Sequence, residues 1–272
     1  MRVAASKDGQ TLHKFRVIPT PLDYEEGMVK FTQLVSETRG GMQISKCAGG
    51  ITGMFDKDKN SLFKSPHLTS WVAQPIKKRM SEIAGTEVFL ENDSAMVGLG
   101  EAVFGAGKGY KIVAFFTIST GIGGVRIVDR KIDIGVFGFE PGHQIIDADG
   151  SINPYFQPDE TGNTKGEFES LASGSAISKR WGKLAIEVED EGIWGHINWV
   201  LAQGLCNSIL HWSPEVVVLG GGVMESQKID IEKIKFHLNE VLKIFPEQPR
   251  LLKAQLGDLG GLHGSMAYLN VK

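Results

Sequence analysis

Hydrophobic and polar positions recur along this chain in patterns that predict short strands alternating with amphipathic helices. Residues 1–20 contain two apolar segments separated by Asp8 and Gly9, and this pattern predicts a β-hairpin because these two residues favour tight turns. After Pro21, apolar side chains recur at helical spacing up to Gly40, with acids in the first turn, where the helix dipole favours them. The chain is therefore predicted to open with a hairpin and a helix.

The same alternation continues through the first hundred residues. Residues 42–56 are typical of a strand that ends in a glycine loop, followed by a polar turn. A helix is predicted from Pro75 to Gly85, because proline favours a helix start and glycine a helix end. The segment TEVFLEND, residues 86–93, predicts a strand, and the small residues after Asp93 predict a closely packed helix.

The second half of the chain has longer apolar segments. A near-continuous apolar segment at residues 111–120 is typical of a buried strand. The other predicted elements are a strand and hairpin at 125–135, helices near 168–177, 197–212 and 231–242, a strand at 215–219, and a short helix near the C-terminus. This alternation indicates an α/β fold with largely parallel sheets, two lobes and a cleft between them.

Length and composition agree with two lobes. The chain has 272 residues, 42% of them hydrophobic, and a single core stops growing near this length. We place the boundary in a loose, glycine-rich connection, so that residues 1–107 form a small first lobe and residues 108–257 a larger second lobe. The last helix, within residues 258–272, can return to the first lobe.

Charge and cysteine content narrow the class of function. A net charge of -3 provides no general attraction for nucleic acid or an anionic membrane, which leaves small ligands as the expected partners. Cys47 and Cys206 lie far apart in apolar or small-residue settings, a pattern typical of buried thiols in a reducing compartment. No apolar segment has the length of a membrane span and the first residues do not resemble a signal peptide, so we predict a cytoplasmic protein.

A carboxylate lies where the predicted strand at residues 86–93 meets the following helix. Asn92 and Asp93 occupy the carboxyl end of this strand, which is where open α/β sheets bind their ligands. Aspartate is also a favoured N-cap residue, so a purely structural role is the alternative. The position alone leaves both interpretations open.

Two glycine clusters follow predicted apolar strands. They consist of Thr120, Gly121, Gly123 and Gly124 in the first case and of Gly220, Gly221 and Gly222 in the second. The first cluster could surround a phosphate with backbone N–H groups, or it could form a simple β-hairpin turn. The second could bring the backbone close to a nucleotide, or it could form a strand-to-helix turn.

Further polar side chains could accept hydrogen bonds from a ligand. Glu140 and His143 lie in the segment EPGH between the two glycine clusters, and Glu169 lies at a predicted helix start. Acids at helix starts are usually cap residues, and isolated histidines are usually structural. Together with Asn92 and Asp93, however, these side chains supply the acceptors that a polyhydroxylated, sugar-like molecule requires.

The order of these segments resembles the ROK family of sugar kinases and sugar-responsive repressors. The motifs, in order over nearly the whole chain, are E-N-D with small residues and G-x-G-E, then T-G-I-G-G, E-x-G-H, G-x-x-E-x-x-A-S-G, a strand with G-G-G, and L-G-D-x-x-G-L-x-G. The resemblance implies the two-lobed actin-like ATPase (ribonuclease H-like) fold with a ligand cleft between the lobes. It also implies phosphoryl transfer from ATP, with Mg²⁺, to a hexose hydroxyl, commonly by a homodimer.

The resemblance also implies roles for individual residues. Asp93 would be the general base that acts on the sugar hydroxyl. The sugar would be bound by Asn92, Glu140, His143 and Glu169. The phosphates would be held by Thr120, Gly121, Gly123 and Gly124, and the adenosine would lie beside Gly220, Gly221 and Gly222. Phosphoryl transfer depends mainly on positioning and charge neutralisation, with one carboxylate taking the hydroxyl proton, so these roles are chemically consistent.

The chain departs from the family pattern at a cysteine cluster. ROK proteins usually carry cysteines between the E-x-G-H and G-x-x-E segments, and these bind structural zinc together with the histidine. Residues 150–166 contain no cysteine, so zinc is not expected and no metal ligand is assigned. His143 then keeps only its expected role in sugar binding, and we expect Tyr155 and Phe156 to hold this loop by packing inward.

A second departure lies at the N-terminus. The family begins with a strand and a D-x-G-G-T loop that contacts phosphates and Mg²⁺, whereas MRVAASKDGQ matches the family's second strand. We therefore expect the first strand of the fold to be missing and transfer to be slowed roughly a hundredfold or more, the effect of losing one preorganised donor in other enzymes. Either the natural gene starts upstream, or the protein is a remnant that binds ligands without efficient turnover.

Three hypotheses about function follow. The first is an ATP-dependent hexose kinase of the glucokinase type, impaired in this form by the missing phosphate loop. The second is a sugar-binding regulator or sensor of the same family that does not transfer phosphate; DNA binding is not expected, because the helix-turn-helix of the family's repressors is not recognisable here. The third is an α/β domain whose glycine loops are only turns. The ordered motifs favour the kinase.

Overall fold

The structure is a computed structural model that describes residues 1–152 and 166–271, and strands and helices alternate in both ranges. The strands are β1 (Arg2–Ala5), β2 (Lys14–Val17), β3 (Cys47–Ile51), β4 (Met54–Phe55), β5 (Leu62–Lys64), β6 (Val88–Asn92), β7 (Ile112–Ile118), β8 (Ile122–Val128), β9 (Lys131–Ile132), β10 (Val216–Gly220) and β11 (Arg250–Lys253). The helices are α1 (Tyr24–Arg39), α2 (Ile76–Ala84), α3 (Asp93–Phe104), α4 (Phe168–Ala172), α5 (Gly174–Trp181), α6 (Glu191–Trp212), α7 (Gly222–Glu225), α8 (Ile231–Val241) and α9 (Gly260–Leu269). Tyr155 and Phe156, which we expected to pack inward, lie outside the described residues.

The chain divides into two compact units. Unit 1 contains Met1–Phe104, Ile134–Gly138 and Asp258–Lys272, and unit 2 contains Gly105–Asp133 and Phe139–Gly257. The segment Ile134–Gly138, which we had placed in the second lobe, groups with unit 1. That each lobe behaves as a domain stays a prediction.

The described part of unit 1 arranges its strands in pairs. β1 and β2 form the predicted antiparallel hairpin, with Arg2 opposite Val17. β3 and β6 are parallel, and Ile51 lies opposite Asn92 at their carboxyl ends. β4 and β5 are antiparallel on either side of the predicted polar turn. Each sheet of unit 1 therefore has two strands in the ranges that the structure describes.

The helix ends of unit 1 follow local signals in the sequence. Asp23 caps α1, since its carboxylate accepts a hydrogen bond from the backbone N–H of Glu26 at 2.9 Å. α1 ends at Gly40 and α2 at Gly85, both in the left-handed conformation that glycine adopts without strain. The two helices and their strands enclose a core of buried side chains that includes Tyr24 and Trp71, whose rings pack edge to face at 5.6 Å.

α3 and α9 pack closely within unit 1. A Cβ atom added at Gly264 would lie 1.6 Å from the carbonyl oxygen of Met96, and one added at Gly100 would lie 2.4 Å from the carbonyl oxygen of Gly260. Only glycine allows this approach of two helix backbones, so the small residues after Asp93 pack as the sequence indicated.

Unit 2 contains a mixed five-stranded sheet in the order β11-β10-β7-β8-β9. β11, β10 and β7 are parallel, whereas β7, β8 and β9 pair antiparallel. The expectation of largely parallel sheets is therefore wrong for half of this sheet. The reason is local, since the connections Ser119–Gly121 and Asp129–Arg130 are too short for the crossover that parallel strands need.

The helices of unit 2 cover this sheet and bury its apolar face. One helix predicted near residues 168–177 is instead two, α4 and α5, because Ser173 between them is extended (φ -75°, ψ 164°) and accepts a hydrogen bond from the N–H of Ala176. α6 begins after Asp190, which accepts the N–H groups of Gly192 and Ile193. Among the described residues, no helix has both the length and the apolar composition to cross a bilayer.

Candidate functional site

Asp93 lies in unit 1 at the junction of β6 and α3. β3 passes so close to this junction that a Cβ atom at Gly50 would lie 2.9 Å from the Cα of Asp93. The carboxylate accepts the backbone N–H of Ser94 at 2.9 Å and interacts with the Thr52 side chain. Asp93 as a whole residue is partly buried. Strand, helix and the loop after β3 together fix the position of this side chain.

Asn92, and not Asp93, caps the start of α3. The side-chain oxygen of Asn92 accepts the backbone N–H of Ala95 at 3.2 Å, which is the N-cap interaction of α3. The Asn92 side-chain nitrogen donates to the carbonyl of Gly53 at 3.2 Å. The Asp93 carboxylate is therefore not required as the cap, and the prediction that Asn92 binds sugar must allow for these two contacts.

Burial raises the pKa of Asp93 above its usual value of 3.8. Desolvation is the largest cause, and it is opposed by hydrogen bonds from the backbone and from Thr52 and by the nearby His67. A carboxylate with a raised pKa is a better proton acceptor than an exposed one, and such groups concentrate at functional sites. The raised pKa agrees with the role predicted for Asp93, which stays a prediction.

The first glycine cluster forms the tight connection between β7 and β8 in unit 2. The N–H of Ser119 donates to the carbonyl of Gly121 at 2.9 Å, which closes the turn. The N–H groups of Gly174 and Ser175 at the start of α5 donate to the carbonyls of Ser119 and Thr120 at 2.7 and 3.1 Å. Thr120 and Gly121 are therefore fixed in a hairpin turn that is bonded to a helix start.

Gly123 and Gly124 lie inside β8 and not in the turn. Gly123 pairs with Thr117 and Gly124 with Phe116 across the antiparallel ladder. A Cβ atom at Gly124 would lie 2.8 Å from the ring of Pro141, so glycine is required there for packing. Their predicted role in holding phosphates stays a prediction.

The second glycine cluster connects β10 to α7. Gly221 has φ 98°, and a Cβ atom there would lie 2.4 Å from the carbonyl oxygen of Ile118 at the end of β7. Gly220 ends β10, and Gly222 begins α7 close to the hydroxyl of Ser119. The two glycine clusters thus meet at the carboxyl ends of adjacent parallel strands, where α/β sheets bind ligands.

Glu140, His143 and Glu169 lie near the start of β8 in unit 2. Glu140 precedes a short 3₁₀ turn at Pro141–His143. A Cβ atom at Gly142 would lie 2.1 Å from the carbonyl oxygen of Ile122 and 3.3 Å from the Cβ of Glu169. The carboxylate of Glu169 accepts the N–H of Ile122 at 2.6 Å. Unit 2 therefore brings these predicted sugar ligands together with the first glycine turn.

The sequence predicted no role for one polar residue of this region, Glu167. Glu167 has a side chain that is only 7% exposed, and its Oε2 lies 2.9 Å from Nδ1 of His143. The sequence signal was the pair of acids in the segment GEFE, in which only Glu169 received a role. No cluster of three or more potential metal ligands occurs within residues 1–152 and 166–271.

Comparison with known proteins identifies relatives along the whole chain. The sequence model of the ROK family matches residues 1–271. A Bacillus subtilis (strain 168) protein designated a candidate fructokinase is 32% identical over 190 residues, which span 66% of this chain and 61% of that protein. A glucokinase of Streptomyces coelicolor is 26% identical over 296 aligned positions, which span 95% of this chain and 90% of the enzyme.

The fold of this chain is similar to that of a solved structure. The ROK family glucokinase from Streptomyces griseus, crystallised with glucose and AMPPNP, aligns with a TM-score of 0.77 and 22% identity over 97% of this chain and 93% of that one. This similarity confirms the predicted actin-like ATPase fold, in which two α/β lobes occur.

Proposed function

We propose that this chain, which belongs to the ROK family, is a hexose kinase that transfers the γ-phosphoryl group of Mg·ATP to a sugar hydroxyl. The observation that carries the proposal is the carboxylate of Asp93, whose pKa is raised by burial and which is not needed as the cap of α3, because Asn92 fills that role. The similarity to glucokinases of the same family supports the choice of substrate class.

The proposed reaction requires one proton acceptor. The Asp93 carboxylate takes the proton of the hexose hydroxyl as the hydroxyl oxygen forms its bond to the γ-phosphorus. The bond between this phosphorus and the bridging oxygen breaks, and ADP leaves with that oxygen. Because the protein forms no covalent bond, positioning and charge neutralisation account for most of the expected acceleration.

The proposed sugar ligands are hydrogen-bond acceptors of unit 2. Glu140, His143 and Glu169 lie beside the start of β8, where charged and neutral acceptors can bind several hydroxyl groups at once. Asn92 would add a contact beside the base. The Glu169 carboxylate already accepts one backbone N–H, which leaves its other lone pairs for a hydroxyl.

The nucleotide would bind near the two glycine clusters of unit 2. Thr120, Gly121, Gly123 and Gly124 would hold the phosphates, and Gly220, Gly221 and Gly222 would lie along the adenosine. Gly221 allows the end of β10 to lie against the end of β7, which brings the two glycine clusters side by side and supports placing one nucleotide along both. Mg²⁺ would enter as part of the nucleotide substrate and neutralise its phosphate charge.

A panel of sugars tests the proposal. The protein is incubated with Mg·ATP and glucose, fructose, mannose or an amino sugar, and the sugar phosphate is detected by ³¹P NMR or a coupled assay. Phosphate on at least one hexose, lost when EDTA removes Mg²⁺, is the expected result. Absence of any sugar phosphate over hours rules the kinase out, and calorimetry that shows hexose affinity without ATP affinity then identifies a sugar-binding regulator.

The family resemblance also leads us to propose a homodimer. Size-exclusion chromatography with light scattering distinguishes twice the 29.7 kDa chain mass from the monomer.

A further inference from the structure

The buried carboxylate of Glu167 has no role in the proposed reaction as described so far. Its side chain is 7% exposed, and a charge buried to this degree is costly unless a partner compensates for it. His143 is a compensating partner, since its Nδ1 lies 2.9 Å from Oε2 of Glu167. The side chain of His143 is 46% exposed, so the ring also remains accessible to a ligand.

The backbone fixes the two residues relative to each other. The N–H of Phe168 donates to the carbonyl of Gln144 at 2.9 Å, and the N–H groups of Ile146 and Asp147 donate to the carbonyl of Gly166 at 2.9 and 3.2 Å. A Cβ atom at Gly166 would lie 2.2 Å from the carbonyl oxygen of Asp147, so a side chain cannot be accommodated there. The segments that carry the histidine and the glutamate therefore form one bonded unit.

A second set of contacts anchors this pair to α6. The side-chain nitrogen of Gln144 donates to the carbonyl of Pro141 at 2.8 Å and to the carbonyl of Gly204 and the hydroxyl of Ser208 at 3.1 Å each. Gln144 follows His143 directly, so the histidine is held on a helix that belongs to the core of unit 2. The contact with Glu167 is consequently part of the folded structure and not a chance surface pairing.

The chemistry of the pair determines which ring nitrogen faces a ligand. An ionised carboxylate only accepts hydrogen bonds, so the ring nitrogen that contacts Glu167 must carry the proton. In a neutral imidazole with Nδ1 protonated, Nε2 is an acceptor. A sugar hydroxyl is the kind of donor that this acceptor requires.

We propose that Glu167 is a positioning residue that holds His143 in the Nδ1–H tautomer, so that Nε2 accepts a hydrogen bond from a hydroxyl of the bound hexose. This inference rests on the proposed function and adds to it a residue that acts through the histidine and does not itself touch the sugar. It also predicts that the hydroxyl bound by His143 acts as a donor, so that a deoxy sugar lacking that hydroxyl binds more weakly.

The tautomer can be measured without any turnover. Long-range ¹⁵N NMR spectra at mildly alkaline pH distinguish the two neutral tautomers, and a His143→Gln variant assigns the signal. We expect Nδ1–H in the wild-type protein and in Glu167→Gln, which keeps an acceptor oxygen. In Glu167→Met, which keeps the volume but loses the acceptor, the signal shifts toward Nε2–H. Glu189→Met is the matched control, since the Glu189 side chain is 78% exposed.

Hexose affinity provides the second readout. Calorimetry with the sugar that the kinase panel identifies should give a dissociation constant roughly tenfold higher for Glu167→Met, the effect of one lost hydrogen bond. The Glu167→Gln and Glu189→Met proteins should stay within roughly threefold of the wild-type value.

Two results overturn the proposal. One is a wild-type His143 ring protonated on Nε2, which needs no variant to observe. The other is wild-type hexose affinity in a folded Glu167→Met protein, or in His143→Gln should Glu167→Met not fold. A wild-type protein that binds no hexose contradicts the proposed function instead, and the tautomer measurement then decides the positioning role by itself.

Discussion

The two units hold their candidate residues in different ways. In unit 2, Glu169 and His143 lie beside a five-stranded sheet whose interior strand β10 is completely buried from Val216 to Leu219. In unit 1, Asp93 follows β6, which pairs with β3 alone among the described strands. The proposed binding groups are thus supported by an extensive sheet, and the proposed base depends on a small sheet and on the packing of α3.

The carboxylates of Glu169 and Asp93 also differ in their surroundings. Glu169 is tied by the N–H of Ile122 at 2.6 Å, a charge-assisted bond that keeps its orientation fixed. For the Asp93 carboxylate, the largest effect is desolvation, which raises its pKa. Under the proposed function, Glu169 binds the sugar and Asp93 accepts the proton. The following predictions test these two roles and the difference between the two units.

Removing the charge of Glu169 should weaken sugar binding more than any other single change in unit 2. Glu169→Gln should raise the hexose dissociation constant roughly tenfold to a hundredfold, because hydrogen bonds to charged groups contribute about 1.5–3 kcal/mol. Calorimetry measures this, with Glu247→Gln, an exposed acid of unit 2, as the control. Unchanged affinity would remove Glu169 from the sugar site.

Unit 1 should be sensitive to the spacing of α3 and α9. Gly264→Ala places a methyl group against the carbonyl of Met96 and should lower the free energy of unfolding by about 1–3 kcal/mol or more. Gly261→Ala, on the same helix, meets its nearest atom at 3.7 Å and should be neutral or stabilising. Urea unfolding of the two variants checks this, and equal stabilities would show that the helices can separate without cost.

Hydrogen exchange should show the difference between the sheets directly. Amides of β7 and β10, in the core of unit 2, should exchange more slowly than those of β3 and β6 in unit 1 by at least about tenfold, since fewer buried contacts protect a two-stranded sheet. Exchange measured by mass spectrometry under native conditions resolves the strands. Equal protection would mean that the two sheets open together.

The raised pKa of Asp93 leads to a smaller, pH-dependent effect. An acid whose pKa is raised by folding stabilises the fold below its usual value of 3.8, and this contribution is lost as pH rises through the raised pKa. Asp93→Asn should therefore melt at a higher temperature than the wild type at neutral pH, and the gain should shrink toward pH 3.8. Melting curves across this range check the sign, and a destabilised variant at neutral pH would contradict it.

Local signals in the sequence predicted much of the fold. Asp23, Gly40 and Gly85 mark helix ends through interactions with their own neighbours, so the chain pattern is sufficient to place α1 and α2. The split between α4 and α5 was not predicted, because the apolar spacing continues through residues 168–177. The local signal was Ser173 before Gly174, since Ser173 caps α5 and the N–H of Gly174 donates to the carbonyl of Ser119.

In the candidate site, too, the sequence predicted some features and not others. The strand end at Asp93 and the glycine clusters follow from sequence order, and the motifs gave them expected roles. That Asn92 caps α3 is a local interaction with Ala95, whereas the contact of Glu167 with His143, 24 residues away, depends on tertiary geometry that no local pattern encodes. Sequence order therefore supplied candidate residues, whose roles stay predictions, and the structure supplied the contact between Glu167 and His143.

The most direct test of the account is a rapid-quench measurement of phosphoryl transfer from labelled ATP to saturating hexose in the wild type and in Asp93→Asn. The account predicts a rate at least roughly a thousandfold lower in Asp93→Asn, with hexose affinity unchanged and with Asp58→Asn, an exposed acid of unit 1, matching the wild type. Transfer by Asp93→Asn within tenfold of the wild-type rate, or no transfer to any hexose by the wild type, would contradict it.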